Sequence, residues 1–138
     1  MNVKIKLMEN GKMPEFKRAG DACLDCYSAE DIVINPGNRS LIKLGFAMEI
    51  PEGYEGVIRP RSGLSSKGID ECIGTIDSNY RGELKAIIIN NATEPYYINF
   101  GDRICQLAIR KTENINFIQV EELDDSVRGI NGFGSSGK

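Results

Sequence analysis

Apolar and polar residues alternate along much of this chain with the two-residue period of a β-strand, in which successive side chains point to opposite faces. The clearest case is 42–50. Ile42, Leu44, Phe46, Met48 and Ile50 alternate there with Lys43, Gly45, Ala47 and Glu49, which predicts one strand with a core face and a face toward solvent or a second subunit. Val3, Ile5 and Leu7 alternate with Lys4 and Lys6 in the same way. Shorter apolar runs at 32–34, 57–58, 84–89, 104–109 and 115–120 predict further strands. Turn-forming clusters separate them: Asn35-Pro36-Gly37-Asn38, Pro51-Glu52-Gly53, Asn90-Asn91 with Pro95, and Phe100-Gly101-Asp102. Many short strands punctuated this way predict an all-β sandwich or barrel, and no internal repeat interrupts the pattern.

Two segments depart from that period. In 62–68, Pro60 excludes helix just upstream, Ser62 is a good N-cap and Gly68 a natural stop, so the spacing predicts one helix of at most two turns. Its start would direct unpaired N–H groups and a hydroxyl outward, a way to hold phosphate without a positive surface. From Asp124 onward the periodicity fades into a Gly- and Ser-rich run, which divides the chain into a β domain over 1–123 and a flexible segment over 124–138. Within that segment Arg128 offers a fork of donors for phosphate oxygens. Phe133, a single aromatic between glycines, can stack on a base if the segment folds over a ligand as a lid.

At 138 residues the chain is one domain, long enough for a real core. Its formal charge of −3 provides no basic stripe for duplex nucleic acid, so a free nucleotide fits better than a polymer. No run reaches membrane-spanning length, and the N-terminal alternation is unlike a signal peptide, which leads to an expectation of a cytoplasmic protein with no membrane partner. Cys23, Cys26, Cys72 and Cys105 contain one lone C-x-x-C, and there is no histidine. Free, packed thiols are therefore expected in place of a zinc or redox site.

The chemistry centres on Gly74-Thr75-Ile76-Asp77-Ser78-Asn79-Tyr80-Arg81-Gly82-Glu83, a polar turn entered and left by apolar residues, with Asp77 at a strand end. Alone, Asp77 would read as a turn former and Tyr80 as a half-buried strand residue. Four other polar, glycine-bearing stretches change that: Gly20-Asp21-Ala22-Cys23-Leu24-Asp25, Pro60-Arg61-Ser62-Gly63-Leu64, Gly101-Asp102-Arg103-Ile104-Cys105-Gln106-Leu107, and the run from Arg128 to Gly137. In order and spread, from about Gly20 to Gly137, the five resemble the motifs of the trimeric deoxyuridine triphosphatases (dUTPases).

The resemblance implies a jelly-roll-like β fold and a homotrimer whose active sites draw on all three subunits. It implies hydrolysis of dUTP to dUMP and pyrophosphate, by in-line attack on the α-phosphorus of a water oriented by Asp77. Ser62 would meet the α,β-phosphate region with Arg61, Gly63 and Gln106 nearby. Arg128, with Gly134, Ser135 and Ser136, would hold the γ-phosphate, and Asp25 would reach Mg²⁺ through water. Backbone at Gly74 would help form the hairpin that reads uracil, whose N3–H donor and O4 acceptor are reversed in cytosine. Tyr80 would lie against the deoxyribose and exclude a ribose hydroxyl. Cys23 and Cys26 stand where relatives more often have Gly and Leu, Ser136 stands where Thr is usual, and the span from Ser62 to Asp77 is a few residues short. A dCTP deaminase-like chemistry would need a glutamate in place of Asp77. A non-catalytic nucleotide switch would not need Asp77, Tyr80 and Arg128 all present.

Overall fold

The computed structural model describes residues 1–132, so Phe133, Gly134, Ser135 and Ser136 lie outside the described residues. The body is all-β, as the alternation predicts, and every strand pairing in it is antiparallel. One sheet runs in the order β2 (Leu24–Tyr27), β11 (Arg103–Lys111), β6 (Tyr54–Arg59) and β8 (Gly74–Ile76). A second runs β4 (Arg39–Lys43), β9 (Lys85–Asn90) and β7 (Ile69–Glu71). Two ribbons complete the body: β1 (Lys4–Leu7) with β5 (Phe46–Glu49), and β3 (Ile32–Ile34) with β10 (Tyr96–Ile98). The inner faces bury Phe46, Ile58, Leu84, Ile88, Ile104 and Leu107 in one continuous apolar core. Among the described residues no helix is long and apolar enough to cross a membrane.

The period over 42–50 holds, while the continuity does not. Ile42, Leu44, Phe46, Met48 and Ile50 are all buried, yet β4 stops at Lys43 and β5 begins at Phe46. Between them Gly45 adopts φ +70°, where a side chain is strained, and its backbone lies against Gly11 so closely that a Cβ would stand 2.5 Å from the Gly11 Cα. The chain leaves β9 there and joins β1. Alternation reports which face is apolar and carries no information on a sheet change that preserves that face.

Two other expectations need correction. No strand forms over 115–120: the last strand ends at Lys111, residues 112–132 contain no helix or strand, and Phe117 is 94% exposed. An apolar run becomes a strand only where it pairs with an edge, and this run pairs with none of the described edges of its own chain. The short helix α1 spans Ser62–Ser65, with Gly68 at φ +79° closing the turn. Its N-cap is Arg61, in extended geometry and without a side-chain cap bond, so Ser62 is the first helical residue. The Arg61 carbonyl accepts the N–H groups of Leu64 and Ser65, while its guanidinium is drawn toward β11.

Candidate active site

Five of the expected site residues, Asp25, Arg61, Ser62, Gly63 and Gln106, line one open cavity of about 330 Å³. Asp25 is its buried anion. Arg103 Nη1 donates to Asp25 Oδ2 at 2.9 Å, Gln106 Nε2 donates to Oδ1 at 3.1 Å, and Arg61 Nε stands 4.0 Å from Oδ1. Burial alone would raise the carboxyl's pKa. The hydrogen bonds from Gln106 and Arg103, with the charges of Arg61 and Arg103, outweigh it and hold the group below the ordinary range, ionised at neutral pH. Arg61 also donates to the Arg103 carbonyl, which ties the start of α1 to β11.

A break in strand register assembles this cluster. Arg103 and Gln106 are three apart and on a regular strand would face opposite ways. β11 shifts register against β2 between Arg103 and Cys105, so that Ile104 and Cys105 are both buried and Arg103 and Gln106 both reach Asp25. Behind the cavity wall Cys26 and Cys105 oppose each other across β2 and β11, buried and unoxidised. The neighbouring Cys26 thiol and burial push the Cys105 thiol well above its usual pKa. All four cysteines are free thiols, Cys26 and Cys105 buried and Cys23 and Cys72 partly so. Cys23, unlike Cys26, faces the cavity. On β7, Glu71 is buried with neither carboxylate oxygen partnered, and burial pushes its pKa up to about 8.

A second cleft, of about 360 Å³, is lined by Leu41, Thr75, Ile76, Asp77, Tyr80, Glu83, Leu84 and Lys85. The Asp77 carbonyl accepts the Tyr80 N–H at 3.0 Å, closing a turn that leaves the Asp77 carboxylate exposed. The Tyr80 hydroxyl donates to the Glu83 carbonyl at 3.3 Å, and its ring lies where a Cβ on Gly82 would fall. This turn does not join paired strands, since β8 belongs to one sheet and β9 to the other. The expected hairpin at Gly74 is corrected in the same sense: β7 and β8 are consecutive but pair with β9 and β6 respectively, and each is the outermost strand of its sheet. Two free backbone edges therefore flank the corner at Cys72 and Ile73.

The two cavities share no lining residue, so the structure gathers the expected residues into two groups within one chain. Arg128 lines neither. It is exposed, and its Nε donates to the Asn131 carbonyl at 2.8 Å. Sequence reasoning missed Arg103, Lys17, Arg18 and Asp21, all of which line the first cavity. Arg103 stood inside a quoted motif, and adjacent Lys17 and Arg18 just before Gly20 were the available signal. Among the described residues no cluster of three or more Cys, Asp or Glu side chains could cage a metal. Asp25, ionised and with lone pairs left after two hydrogen bonds, nonetheless fits a hard cation that takes its other ligands from phosphates and water.

Comparison with known proteins places the chain in one family. The family profile described as dUTPase matches residues 9–137. The deoxyuridine 5'-triphosphate nucleotidohydrolase of Finegoldia magna is 48% identical over 99% of both chains, and that of Corynebacterium glutamicum is 44% identical over 97% of this chain and 93% of its own. Among solved structures, a mutant dUTPase of Staphylococcus bacteriophage 80alpha with dUpNHpp superposes with a TM-score of 0.94 at 34% identity, covering 99% of each chain. A mutant dUTPase from phage phi11 of S. aureus, described for its coordination of a structural Mg(II) ion, superposes with a TM-score of 0.83 at 35% identity, over 88% of this chain and 98% of its own.

Proposed function

The chain belongs to the dUTPase family and hydrolyses dUTP to dUMP and pyrophosphate, and on that premise we propose that its two cavities are halves of one active site, brought together between protomers of a homotrimer. The observation that carries this reading is the separation of Asp77 from Asp25, Arg61, Ser62 and Gln106 into cavities with no residue in common. Association is supported by the apolar surface left outside the body, where Phe117, Ile118 and Leu123 are 94%, 84% and 87% exposed, more than a monomer keeps in water without use.

In this site the cavity around Arg61, Ser62 and Gln106 receives the phosphates, and the edges of β7 and β8 at Gly74 offer main-chain donors and acceptors to uracil. Tyr80 lies against the sugar. Asp77 orients a water and accepts its hydrogen bond. The water oxygen bonds to the α-phosphorus as the bond from that phosphorus to the α,β-bridging oxygen breaks, pyrophosphate leaves with the electron pair, and the water's proton passes to Asp77 or solvent. Asp25 would hold a Mg²⁺ ion through water, and the ion would supply charge neutralisation at the phosphates. Arg128, with Phe133, Gly134, Ser135 and Ser136, closes over the γ-phosphate and base.

The test is pyrophosphate release from dUTP, dTTP, dCTP and UTP, with Asp77→Asn alongside. Release from dUTP alone, cut by about 10²–10⁴-fold in Asp77→Asn, is expected for a lost acid–base group. A wild-type rate in that variant would remove Asp77 from the mechanism.

A further inference from the structure

Charge in the first cavity is distributed unevenly. Four cations, Lys17, Arg18, Arg61 and Arg103, line it with two carboxylates, Asp21 and Asp25. Three of the cations are already committed. Arg103 and Arg61 face Asp25, and Lys17 is paired with Glu15, which also accepts the Tyr27 hydroxyl. Asp21 Oδ2 accepts the backbone N–H of Arg18 at 2.8 Å, a contact that pins the loop and leaves the guanidinium without an ion-pair partner among the described residues. Arg18 is the cavity's one uncommitted cation among them. It belongs to the loop before Gly20 and lines the same cavity as Ser62 and Gly63 at the start of α1.

We infer that Arg18 is a specificity-determining residue that meets the outer phosphates of the substrate and so selects a polyphosphate over a monophosphate. This rests on the assignment of the cavity to phosphate. The other two guanidiniums lining this cavity already face a protein carboxylate, so Arg18 is the one there whose donors are open to the charge a triphosphate adds beyond a monophosphate, alongside the contacts assigned to Arg128. A planar fork held by a pinned loop suits two phosphate oxygens at once, and a lysine would keep the charge while losing that geometry.

Kinetics of the full chain with dUTP, and competition by dUMP and by inorganic pyrophosphate, test the assignment in Arg18→Ala and Arg18→Lys. In Arg18→Ala the KM for dUTP and the inhibition constant for pyrophosphate should each rise about tenfold, with kcat within about twofold and dUMP inhibition unchanged, as for loss of one charge-assisted contact to the outer phosphates. Arg18→Lys should recover part of that loss. An unchanged KM, or equal weakening of dUMP and pyrophosphate, would overturn the inference while leaving the hydrolase intact. Absence of pyrophosphate release by the wild-type chain would instead overturn the parent reading.

Discussion

Arg103 and Asp25 form a 2.9 Å ion pair between β11 and β2 in which the carboxylate is buried and the guanidinium is 43% exposed. The pair ties a cavity-lining anion to the strand that carries Gln106. Its removal acts on both stability and substrate binding.

In Arg103→Gln the Asp25 carboxylate keeps Gln106 and the more distant Arg61, so we expect a loss of about 1–2 kcal/mol, discounted for the exposure of Arg103. The sign with pH follows from the lowered pKa of Asp25. Its contribution is present above the unfolded carboxyl's pKa and disappears as pH falls through the folded one. Denaturant midpoints at pH 7 and pH 3, at one protein concentration, should differ less between wild type and variant at the lower pH. An equal gap at both values would show that the arginine stabilises only by packing.

Glu71 has the opposite sign. A carboxyl raised to about 8 lets the folded protein keep a proton that the unfolded chain releases near its ordinary value of 4.5. Stability from this residue is whole below that value, erodes as pH rises, and is gone above about 8, a loss on the order of 5 kcal/mol. Glu71→Gln keeps the shape without the titration. Its stability at pH 9 should exceed that of wild type, and the advantage should shrink toward pH 5. A constant offset across that range would mean that Glu71 finds a charged partner in the assembled protein.

Gly82→Ala places a methyl where the Tyr80 hydroxyl lies. The ring is the far end of a mobile side chain, so the fold should survive with a thermal midpoint near that of wild type. Displaced from the Asp77 cleft, Tyr80 no longer shapes the sugar pocket. The ratio of kcat/KM for dUTP to that for UTP should fall about tenfold, in line with loss of a single steric contact. An unchanged ratio would release Tyr80 from sugar discrimination.

Ending the chain after Val127 removes Arg128 and the last motif but no strand found among the described residues. Circular dichroism and sedimentation should match the full chain while hydrolysis drops by at least about a hundredfold, if the segment supplies oriented phosphate contacts. Full activity would refute the lid.

The core was legible because burial follows period: each of the five apolar positions over 42–50 is inside. What period cannot encode is where a strand changes partner. Gly45 breaks that run through its contact with Gly11, 34 residues earlier in the numbering. The site divided along the same line. Asp25, Arg61, Ser62, Gly63 and Gln106 converge as their motifs led one to expect, whereas Arg103 depends on a register shift that leaves no mark in composition. The run over 115–120 looked like a strand because its side chains are apolar, and nothing local tells whether an edge will pair with it. Glu71 follows Asp70 at the end of β7 with no sequence sign of burial, and only its place in the fold marks it as a carboxyl that favours its proton.

The separation of Asp77 from Arg61 reaches beyond a single polypeptide. If a working site takes these two side chains from different protomers, two dead variants can rescue each other. Asp77→Asn and Arg61→Ala, unfolded together in equal amounts and refolded, would regain roughly a quarter of wild-type turnover through random mixing of subunits in a closed ring. Neither preparation would recover anything by itself.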